Sequence, residues 1–354
     1  MESSLTASGL DRQPRIRVLS LGAGPQSTAL LLLACERKIA TFDAAIFADP
    51  GWQHQAVYQR VEQLAPIAAA AGIPLYQVSV GDVRIDALDP GRRYASMPLW
   101  YRSPAGHDAT ARRQCVSRYK TRPIKAHIRS LLGYPPPARV PRGIYAELAV
   151  GLAADETGRA RDPDVRYLQF TYPLADLGWT TADCLRYLIP HGMGGAPLSG
   201  CLGCPYNGNR WWRYLRDHEP GHWADVVAFD HAIRHGHSRP SDHGQPLRGT
   251  YYLHMSRQPL DQAHLGPVSI LNGMPGYAED GIRGGCSPWT RPATQTPQAS
   301  GQPGPGSPGR ARATRRFRDG VASWRRFVVR RLTVRLPHRR AGRHAVAPAR
   351  RPHR

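Results

Sequence analysis

The stretch RVLSLGAGPQSTALLLL, residues 17–33, decides which fold the rest of the chain is expected to adopt. An apolar, β-prone run from Ile16 to Leu21 leads into a turn of small residues, and an apolar helical run from Ala29 to Ala34 follows at once. A strand, a small-residue loop and a helix in this order leave backbone N–H groups at the helix N-terminus available for an anion, usually a phosphate. The alternative is an ordinary connection between a strand and a helix, in which glycine serves only to turn the chain.

Four residues of this loop bear on the choice. Gly22 and Gly24 permit a tight turn and the close approach of a ligand, and Ser27 and Thr28 supply hydroxyl groups where the helix starts. Taken alone, the loop supports the two interpretations equally.

Three further β-like runs alternate with helical segments and predict a parallel sheet. The runs are Phe42–Ala48, Leu75–Val80 and Leu148–Ala153, and the segment Gln53–Ala71 has the apolar periodicity of a helix. Strands that alternate with helices through short connections predict an α/β fold, here a Rossmann-like, doubly wound parallel sheet. Ligands of such sheets bind beyond the C-terminal ends of the strands, where the loop and Asp49 are expected. An Asp-Pro-Gly sequence is also common in turns, and that is the more ordinary interpretation of this aspartate.

Length and composition limit the class of protein. The chain of 354 residues has no charged-then-apolar leader and no apolar run close to the ~20 residues of a membrane span, so we expect a soluble, cytoplasmic protein. Its six cysteines are too few and too scattered for a secreted disulfide framework. A Cys-x-x-Cys pair in a cytosolic chain indicates metal, cluster or redox chemistry instead.

Most of the net charge of +22 belongs to one segment. Residues 288–354 contain 17 arginines and a single acid, Asp319, so the rest of the chain is only mildly basic. The first part of this segment is rich in Pro, Gly, Ser and Gln, a composition that cannot bury a core. A basic helix that binds nucleic acid or an anionic membrane is one interpretation of the second part. We favour a disordered extension.

Two polar segments of the body are candidate anion sites. Residues 112–123 place five cations and Cys115 within twelve positions, which suits phosphate or sulfate, although a solvated basic face is the ordinary alternative. Residues 151–161, after the fourth predicted strand, carry two acids followed by two arginines. These side chains could place a metal site beside an anion site, or they could pair with one another in a surface turn.

The strongest chemical signal is the pair formed by Cys201 and Cys204 in a glycine-containing turn. Two thiols at this spacing can hold one metal ion, such as zinc, or one iron of a cluster. A redox disulfide is the rival interpretation, but such a pair usually opens a helix of a thioredoxin-like unit. Because the pair cannot complete a four-ligand site alone, Cys115 and Cys286 are candidates for the other ligands.

Taken together, the motifs resemble the PP-loop superfamily of adenine-nucleotide-binding proteins (adenine nucleotide α-hydrolase-like), and within it the branch of phosphoadenylyl-sulfate (PAPS) and adenylyl-sulfate (APS) reductases. Residues 22–27 stand where the superfamily has Ser-Gly-Gly-x-Asp-Ser, and residues 47–52 resemble its Asp-Thr-Gly segment. Residues 115–123 are similar to the Cys-Cys-x-x-Arg-Lys-x-x-Pro element of cluster-bearing reductases. Residues 172–188 and 200–205 resemble the Pro-x-x-Asp-Trp…Tyr…Gly-Cys-x-x-Cys run of the family.

The resemblance spans about residues 15–290 and implies that the loop binds an adenine nucleotide, either ATP or PAPS/APS, and that the cysteines hold a [4Fe–4S] cluster, with zinc as the alternative. It implies an enzyme of sulfur metabolism that reduces adenylated sulfate or transfers sulfur after adenylation, with a sulfur or electron donor protein as a partner. The implied nucleotide set is Ser20, Gly22, Gly24, Gln26, Ser27, Thr28 and Asp49. The implied substrate or anion set is Arg118, Lys120, Arg122, Asp155, Glu156 and Arg161. The implied metal set is Cys115, Cys201, Cys204 and Cys286.

Departures from the family pattern bear on the chemistry. Gly22 replaces the first serine of the loop and Gln26 replaces its aspartate, which leaves nucleotide binding expected but weakens the case for ATP cleavage with Mg²⁺. Only Cys115 stands where the cluster-bearing reductases have two cysteines. Cys286 is therefore the expected fourth ligand, and an iron open to substrate or sulfide is the alternative. The C-terminal Glu-Cys-Gly-Leu-His nucleophile of the PAPS reductases is missing, so no catalytic residue is assigned.

The expected organisation is a flexible N-terminus (1–14), a PP-loop domain of the PAPS reductase-like type (15–287), and a disordered Arg/Pro/Gly-rich tail (288–354). The domain is expected to include a cysteine-bearing helical lobe at about 180–287. A hypothesis from another class is a non-catalytic nucleic-acid-binding protein, which would act through the tail and keep only a degenerate nucleotide fold.

Overall fold

The computed structural model describes residues 13–92, 95–195, 200–237, 248–266, 286–291 and 328–331. These residues form a parallel sheet packed between helices, together with a smaller lobe of helices and short antiparallel strands. Residues 1–12 of the N-terminus predicted to be flexible, and most of the tail predicted to be disordered, lie outside the described residues.

Five parallel strands form the main sheet. They span Ile16–Leu21 (β1), Ala44–Asp49 (β2), Leu75–Ser79 (β3), Ala146–Val150 (β6) and Leu168–Thr171 (β7), in the order β7-β6-β1-β2-β3. The prediction of an α/β fold with a parallel sheet is confirmed, and the arrangement is consistent with a Rossmann-like fold. The fifth strand, β7, has no counterpart among the predicted strands because four residues carry too short a pattern to identify.

Helices cover both faces of this sheet. One face packs against Pro25–Cys35 (α1), Gln55–Ala70 (α2) and Thr181–Leu188 (α6), preceded by the single turn Pro173–Asp176 (α5), and the other face packs against Arg122–Leu131 (α4). Helix α1 is buried from Ser27 to Ala34, which explains why its sequence is apolar on all sides rather than amphipathic. The apolar stretch that predicts this helix therefore forms the centre of one core layer.

The smaller lobe combines helices with a three-stranded antiparallel sheet. Its helices are Val83–Leu88 (α3), Asn209–His218 (α7) and Pro220–Ala232 (α8), and its strands are Trp100–Arg102 (β4), Asp108–Thr110 (β5) and Thr250–Tyr252 (β8), in the order β5-β4-β8. The sequence predicts only helices here, since strands of three residues leave no readable alternation. Among the described helices, none is both long and apolar enough to cross a bilayer.

A further short strand, Val328–Arg331 (β9), pairs antiparallel with β3 at the edge of the main sheet. It belongs to the arginine-rich segment for which the sequence predicts disorder, as do residues 288–291, which pack against the main sheet. Charged residues on an edge strand discourage the pairing of additional strands. These two stretches are the parts of the tail that the structure describes.

The strand order reverses between β1 and β6, and this reversal positions the candidate site. At such a switch point the connections that follow the two strands leave in opposite directions and open a crevice at their C-terminal ends. The loop after β1 and residues 151–161 after β6 both lie at this edge. The topology thus brings together two predicted segments that are far apart in sequence.

Candidate functional site

The loop between β1 and α1 has the compact geometry expected of an anion-binding turn. Ala23 adopts a left-handed conformation with φ +57°, which is unfavourable for a residue with a side chain. The Ser27 hydroxyl accepts a hydrogen bond from the Gly22 N–H (3.0 Å) and donates one to the Gly24 carbonyl (3.4 Å). Ser27 therefore fixes the loop from within, although the sequence assigns its hydroxyl to a ligand.

Several polar groups of this loop have no partner in the described part of the chain. The backbone N–H groups of Ala23, Gly24 and Gln26 have no acceptor there, and the first turn of α1 contains no acidic residue. The Thr28 hydroxyl is fully buried and also lacks a hydrogen-bond partner among the described residues. Free amides at the positive end of a buried helix suit a phosphate or sulfate group.

Gly151, the first residue after β6, packs directly against the loop between β1 and α1. A Cβ atom at this position would lie 2.8 Å from the Ser27 backbone nitrogen and 3.2 Å from the Gln26 carbonyl carbon. Only glycine allows this approach, because real Cβ contacts are never so short. The loop after β1 and the segment after β6 are thereby packed against each other.

The predicted acidic pair is bound to its neighbours. The Gln26 side-chain amide donates to Oε2 of Glu156 (3.2 Å) and to the Thr181 hydroxyl (3.3 Å). Glu156 also forms an ion pair with Arg159, and Asp155 accepts a hydrogen bond from the Thr181 N–H (3.0 Å). The interpretation of these acids as members of a local polar turn fits the contacts. Glutamine at position 26 suits this turn, because an aspartate there would place a second carboxylate beside that of Glu156 and the two charges would repel each other.

Asp49 is also engaged within the protein. One of its carboxylate oxygens accepts hydrogen bonds from the Gly51 N–H (2.8 Å) and the Tyr58 hydroxyl (2.9 Å), and the other accepts from the Gln77 amide (2.8 Å). It lies at the C-terminal end of β2, as predicted, but these contacts are those of a turn-stabilising residue. Its assignment to the nucleotide has no support from this geometry.

Two other predicted residues contact the segment 286–291. The Ser20 hydroxyl, at the end of β1, accepts a hydrogen bond of 2.6 Å from the indole N–H of Trp289. Arg161 donates from Nη2 to the Pro288 carbonyl (2.9 Å). The structure thus places Ser20 and Arg161 beside a piece of the predicted tail.

The basic block is divided between a short turn of π-helix, Ser117–Thr121, and α4, which begins at Arg122. The Lys120 side chain turns inward and leaves the residue only 9% exposed. Burial alone would lower the pKa of Lys120, but the four thiols of Cys115, Cys201, Cys204 and Cys286 raise it overall. Lys120 therefore lies among the thiols. Arg118 and Arg122 flank it in sequence and are partly exposed.

The four cysteines predicted to bind a metal come together from three separate segments of the chain. Burial raises the pKa of Cys115, and the thiols of Cys286 and Cys204 raise it further. Burial and Cys286 likewise raise the pKa of Cys204 to about 12, and the pKa of Cys201 is raised by burial and then by Cys286. Four thiols that would repel one another as thiolates around one ammonium group form a site that a bound cation or cluster would stabilise.

The spacing of the sulfur atoms distinguishes between kinds of metal centre. Within the described residues, no three of these thiols have sulfur atoms that all lie within 4.8 Å of one another. Around a tetrahedral zinc ion with bonds of 2.3 Å, the sulfur atoms would be about 3.8 Å apart. An iron–sulfur cluster has a separate iron behind each thiolate and holds the sulfur atoms further apart. Four thiols form a donor set that a cluster could use, and one zinc ion would require their sulfur atoms to lie closer together.

Trp52 positions the turn between Cys201 and Cys204, a role that the sequence does not reveal. The Trp52 carbonyl accepts a hydrogen bond of 2.8 Å from the Leu202 N–H, and Gly203 lies directly on its indole ring. A Cβ atom at Gly203 would be 2.1 Å from Cη2 of that ring. The only advance signal is the resemblance of residues 47–52 to a family motif, which we assigned to the nucleotide.

A separate group of possible metal ligands, His54, Glu219 and His222, brings its ligand atoms within 4.8 Å of one another. Nε2 of His54 and Nδ1 of His222 each lie 2.7 Å from Oε2 of Glu219. Nδ1 of His54 accepts a hydrogen bond of 3.2 Å from the Ala56 N–H at the start of α2, so the proton of the neutral ring is on Nε2. These hydrogen bonds join the start of α2 to the start of α8.

No protein-family model matches the chain, and no curated protein matches it. The resemblance to the PP-loop superfamily therefore depends on the sequence motifs alone. The nucleotide, the cluster and the reaction are proposals.

Proposed function

We propose that the chain is an adenine-nucleotide-binding enzyme of the PP-loop superfamily, similar to the PAPS reductases, that acts in sulfur chemistry with a [4Fe–4S] cluster. The observation that carries this proposal is the convergence of four thiols around the buried ammonium of Lys120. The segment that supplies Cys286 also reaches Ser20, at the start of the anion-binding loop. A cluster site and an anion site at one edge of a sheet suit a substrate that joins a nucleotide to sulfate.

The loop after β1 would hold the anionic part of the nucleotide. Its support is the free N–H groups of Ala23, Gly24 and Gln26 and the unpartnered hydroxyl of Thr28. These donors face no acidic residue in the first helical turn, so a phosphate would gain the helix dipole without repulsion. Ser27 and Gly151 would keep the loop in shape rather than contact the ligand.

Cys115, Cys201, Cys204 and Cys286 would hold the cluster. When bound, such a cluster supplies a site that can bind sulfur or carry single electrons. Lys120 would offset part of the negative charge of four thiolates and would remain protonated there, since these thiols raise its pKa. Arg118 and Arg122, next to Lys120 in sequence, would attract the sulfate end of the substrate.

We propose reduction of an adenylated sulfate to sulfite and AMP as the reaction, with two electrons from an external thiol donor. Gln26 supports this choice over ATP cleavage, because with glutamine at this position the first turn of α1 has no carboxylate to bind Mg²⁺. The Gln26 amide instead donates a hydrogen bond to Glu156. Adenylation by ATP followed by sulfur transfer is the second candidate, since the same loop would bind its nucleotide. Free thiols and an oxygen-sensitive cluster fit the reducing cytoplasm.

The test is an assay of the full-length protein, purified and kept without oxygen, with a dithiol reductant. We expect sulfite and AMP in equal amounts from APS, or sulfite and adenosine 3′,5′-bisphosphate in equal amounts from PAPS, and no pyrophosphate from ATP. The Cys201→Ser variant should lose the activity, whereas Cys35→Ser, a thiol at the end of α1 outside the cluster set, should retain it. Pyrophosphate release from ATP would favour the second candidate, and no turnover or binding of any adenine nucleotide would reject the proposal.

A further inference from the structure

Residues 286–291, here called the strap, run from the cysteine cluster to the edge of the main sheet. Trp289 is the best anchored residue of the strap, with 1% of its surface exposed. Its ring lies 5.4 Å from that of Phe170 in β7, edge to face, and its indole N–H donates to the Ser20 hydroxyl over 2.6 Å. It packs into the apolar layer beneath α4, together with Val18 and Val150. A buried indole whose N–H has a partner is a strong anchor.

Two arginines also fasten the strap, one on each side of Trp289. Arg159 donates from Nε to the Arg291 carbonyl (3.1 Å) and from Nη2 to the Thr290 hydroxyl (2.8 Å). Arg161 donates from Nη2 to the Pro288 carbonyl (2.9 Å). These hydrogen bonds give the two arginines that follow the acidic pair in residues 151–161 a structural role, because both arginines bind backbone carbonyls of the strap.

The anchor determines where Cys286 can lie. Two residues separate Cys286 from Trp289, so their Cα atoms are three steps along the chain from each other and can be no more than about 11 Å apart. Among the described residues, the contacts that fasten the segment of Cys286 to the main sheet are those of residues 288–291. Cys286 is also the thiol with the largest charge effect on each of the other three cysteines.

We propose that Trp289 is a positioning residue for Cys286: by anchoring the strap between Ser20 and Phe170, it holds Cys286 beside Cys115, Cys201 and Cys204 as the fourth ligand of the metal centre. This inference depends on the proposed function, because it assumes that the four thiols bind a cluster. It adds that the fourth ligand is supplied by a segment fastened to the strand that leads into the nucleotide loop.

The first measurement needs no metal. In metal-free, full-length protein, alkylation of Cys286 by iodoacetamide is followed by mass spectrometry, with Cys35 as the internal reference. We expect Trp289→Ala to raise the rate at Cys286 by at least about tenfold, because the strap loses its anchor and opens locally. Ile128→Ala, which removes buried apolar surface from the same layer under α4, is the matched control and should change the rate by less than about twofold.

The second measurement is the iron content of the anaerobically purified proteins. We expect Trp289→Ala and Cys286→Ser to lose the same iron, from about four to about three per chain, with the paramagnetic signal of a three-iron cluster. Trp289→Phe keeps an aromatic ring in the apolar layer but loses the hydrogen bond to Ser20. Its iron content and its rate of Cys286 alkylation should therefore fall between those of wild type and Trp289→Ala. It serves as the test if the alanine variant does not fold.

The outcomes separate this inference from the proposed function. If wild type binds no iron, the proposed function fails while the alkylation rates still test the anchor. If wild type is loaded but Trp289→Ala and Trp289→Phe match it in iron content and in Cys286 alkylation, Trp289 does not position Cys286. Equal rates for Trp289→Ala and Ile128→Ala would also overturn the inference, because the effect would then be general destabilisation.

Discussion

Replacing Gly203 with alanine tests whether Trp52 fixes the cysteine turn. The added Cβ would lie 2.1 Å from Cη2, 2.7 Å from Cζ3 and 2.8 Å from Cζ2 of the Trp52 ring. The ring cannot easily move aside, because its N–H donates a hydrogen bond to Asp225 over 2.7 Å. Its centroid also lies 4.7 Å from that of the Phe229 ring, and the two rings are tilted by 52°. Overpacking of this kind typically costs 1–3 kcal/mol, and we expect the upper end, about 3 kcal/mol. At about 2 °C per kcal/mol, this lowers the melting temperature by about 6 °C.

Gly200→Ala is the matched control, because it changes the glycine directly before Cys201, whereas Gly203 lies between the two cysteines. A Cβ atom at Gly200 would have no atom within 4 Å, and its backbone is not in the left-handed region. We expect a change in the free energy of unfolding of less than about 0.5 kcal/mol. Thermal unfolding by circular dichroism, with iron analysis of the same samples, provides the measurement. Equal melting temperatures for Gly203→Ala and Gly200→Ala would refute the role given to Trp52.

Three further predictions concern the loop, a buried histidine and the tail. Gly151→Ala should weaken the binding of adenine nucleotides, measured by calorimetry, because its Cβ would press on a loop amide 2.8 Å away; Gly158→Ala, with open space at the Cβ, should bind like wild type. Burial lowers the pKa of His254 from 6.5 to about 4. The contribution of the neutral, buried imidazole to folding stability is therefore complete above pH 6.5 and is lost as the pH falls towards 4, because the unfolded chain binds a proton there before the folded protein does. We expect a loss of about 3 kcal/mol over that range in urea unfolding, and a flatter profile for His254→Gln; parallel profiles would contradict this. Truncation that removes 288–354 should destabilise the protein by about 3–5 kcal/mol more than removal of 292–354, since only the first deletes Trp289, and equal stabilities would argue against its burial.

The parts of the fold that the sequence predicts best are those in which one local pattern determines one element. β1 has the predicted bounds, Ile16–Leu21, because its apolar run ends at a glycine-containing turn. α1 and α2 likewise end within two residues of their predicted ends. β7 and the three-residue strands of the lobe were beyond this reasoning, because their formation depends on pairing with distant strands and not on their own residues.

The candidate site shows a similar division. The sequence identifies Cys201 and Cys204 by their spacing and offers Cys115 and Cys286 as candidates for the remaining ligands, and the structure brings the four to the same place. Asp49 shows the limit of the approach: a polar residue at a strand end looks the same whether it binds a ligand or, as here, accepts hydrogen bonds from within the protein.

Trp289 was beyond prediction for another reason. The composition of residues 288–354 predicts disorder, but Trp289 in this segment is held by Ser20 and Phe170, which precede it by more than a hundred residues. Contacts at such separations have no signature in a single sequence. The roles of the arginines at 159 and 161 follow from the same contacts and were equally hidden.

The most direct test of the central claim is metal and sulfide analysis of the wild-type protein, purified without oxygen. If the four cysteines around Lys120 hold the proposed cluster, the protein is brown and contains about four iron and about four acid-labile sulfide per chain. Cys204→Ser should lower this content, and Cys35→Ser should keep it. A colourless protein with one zinc ion per chain, or with no metal after anaerobic reconstitution, would contradict the account.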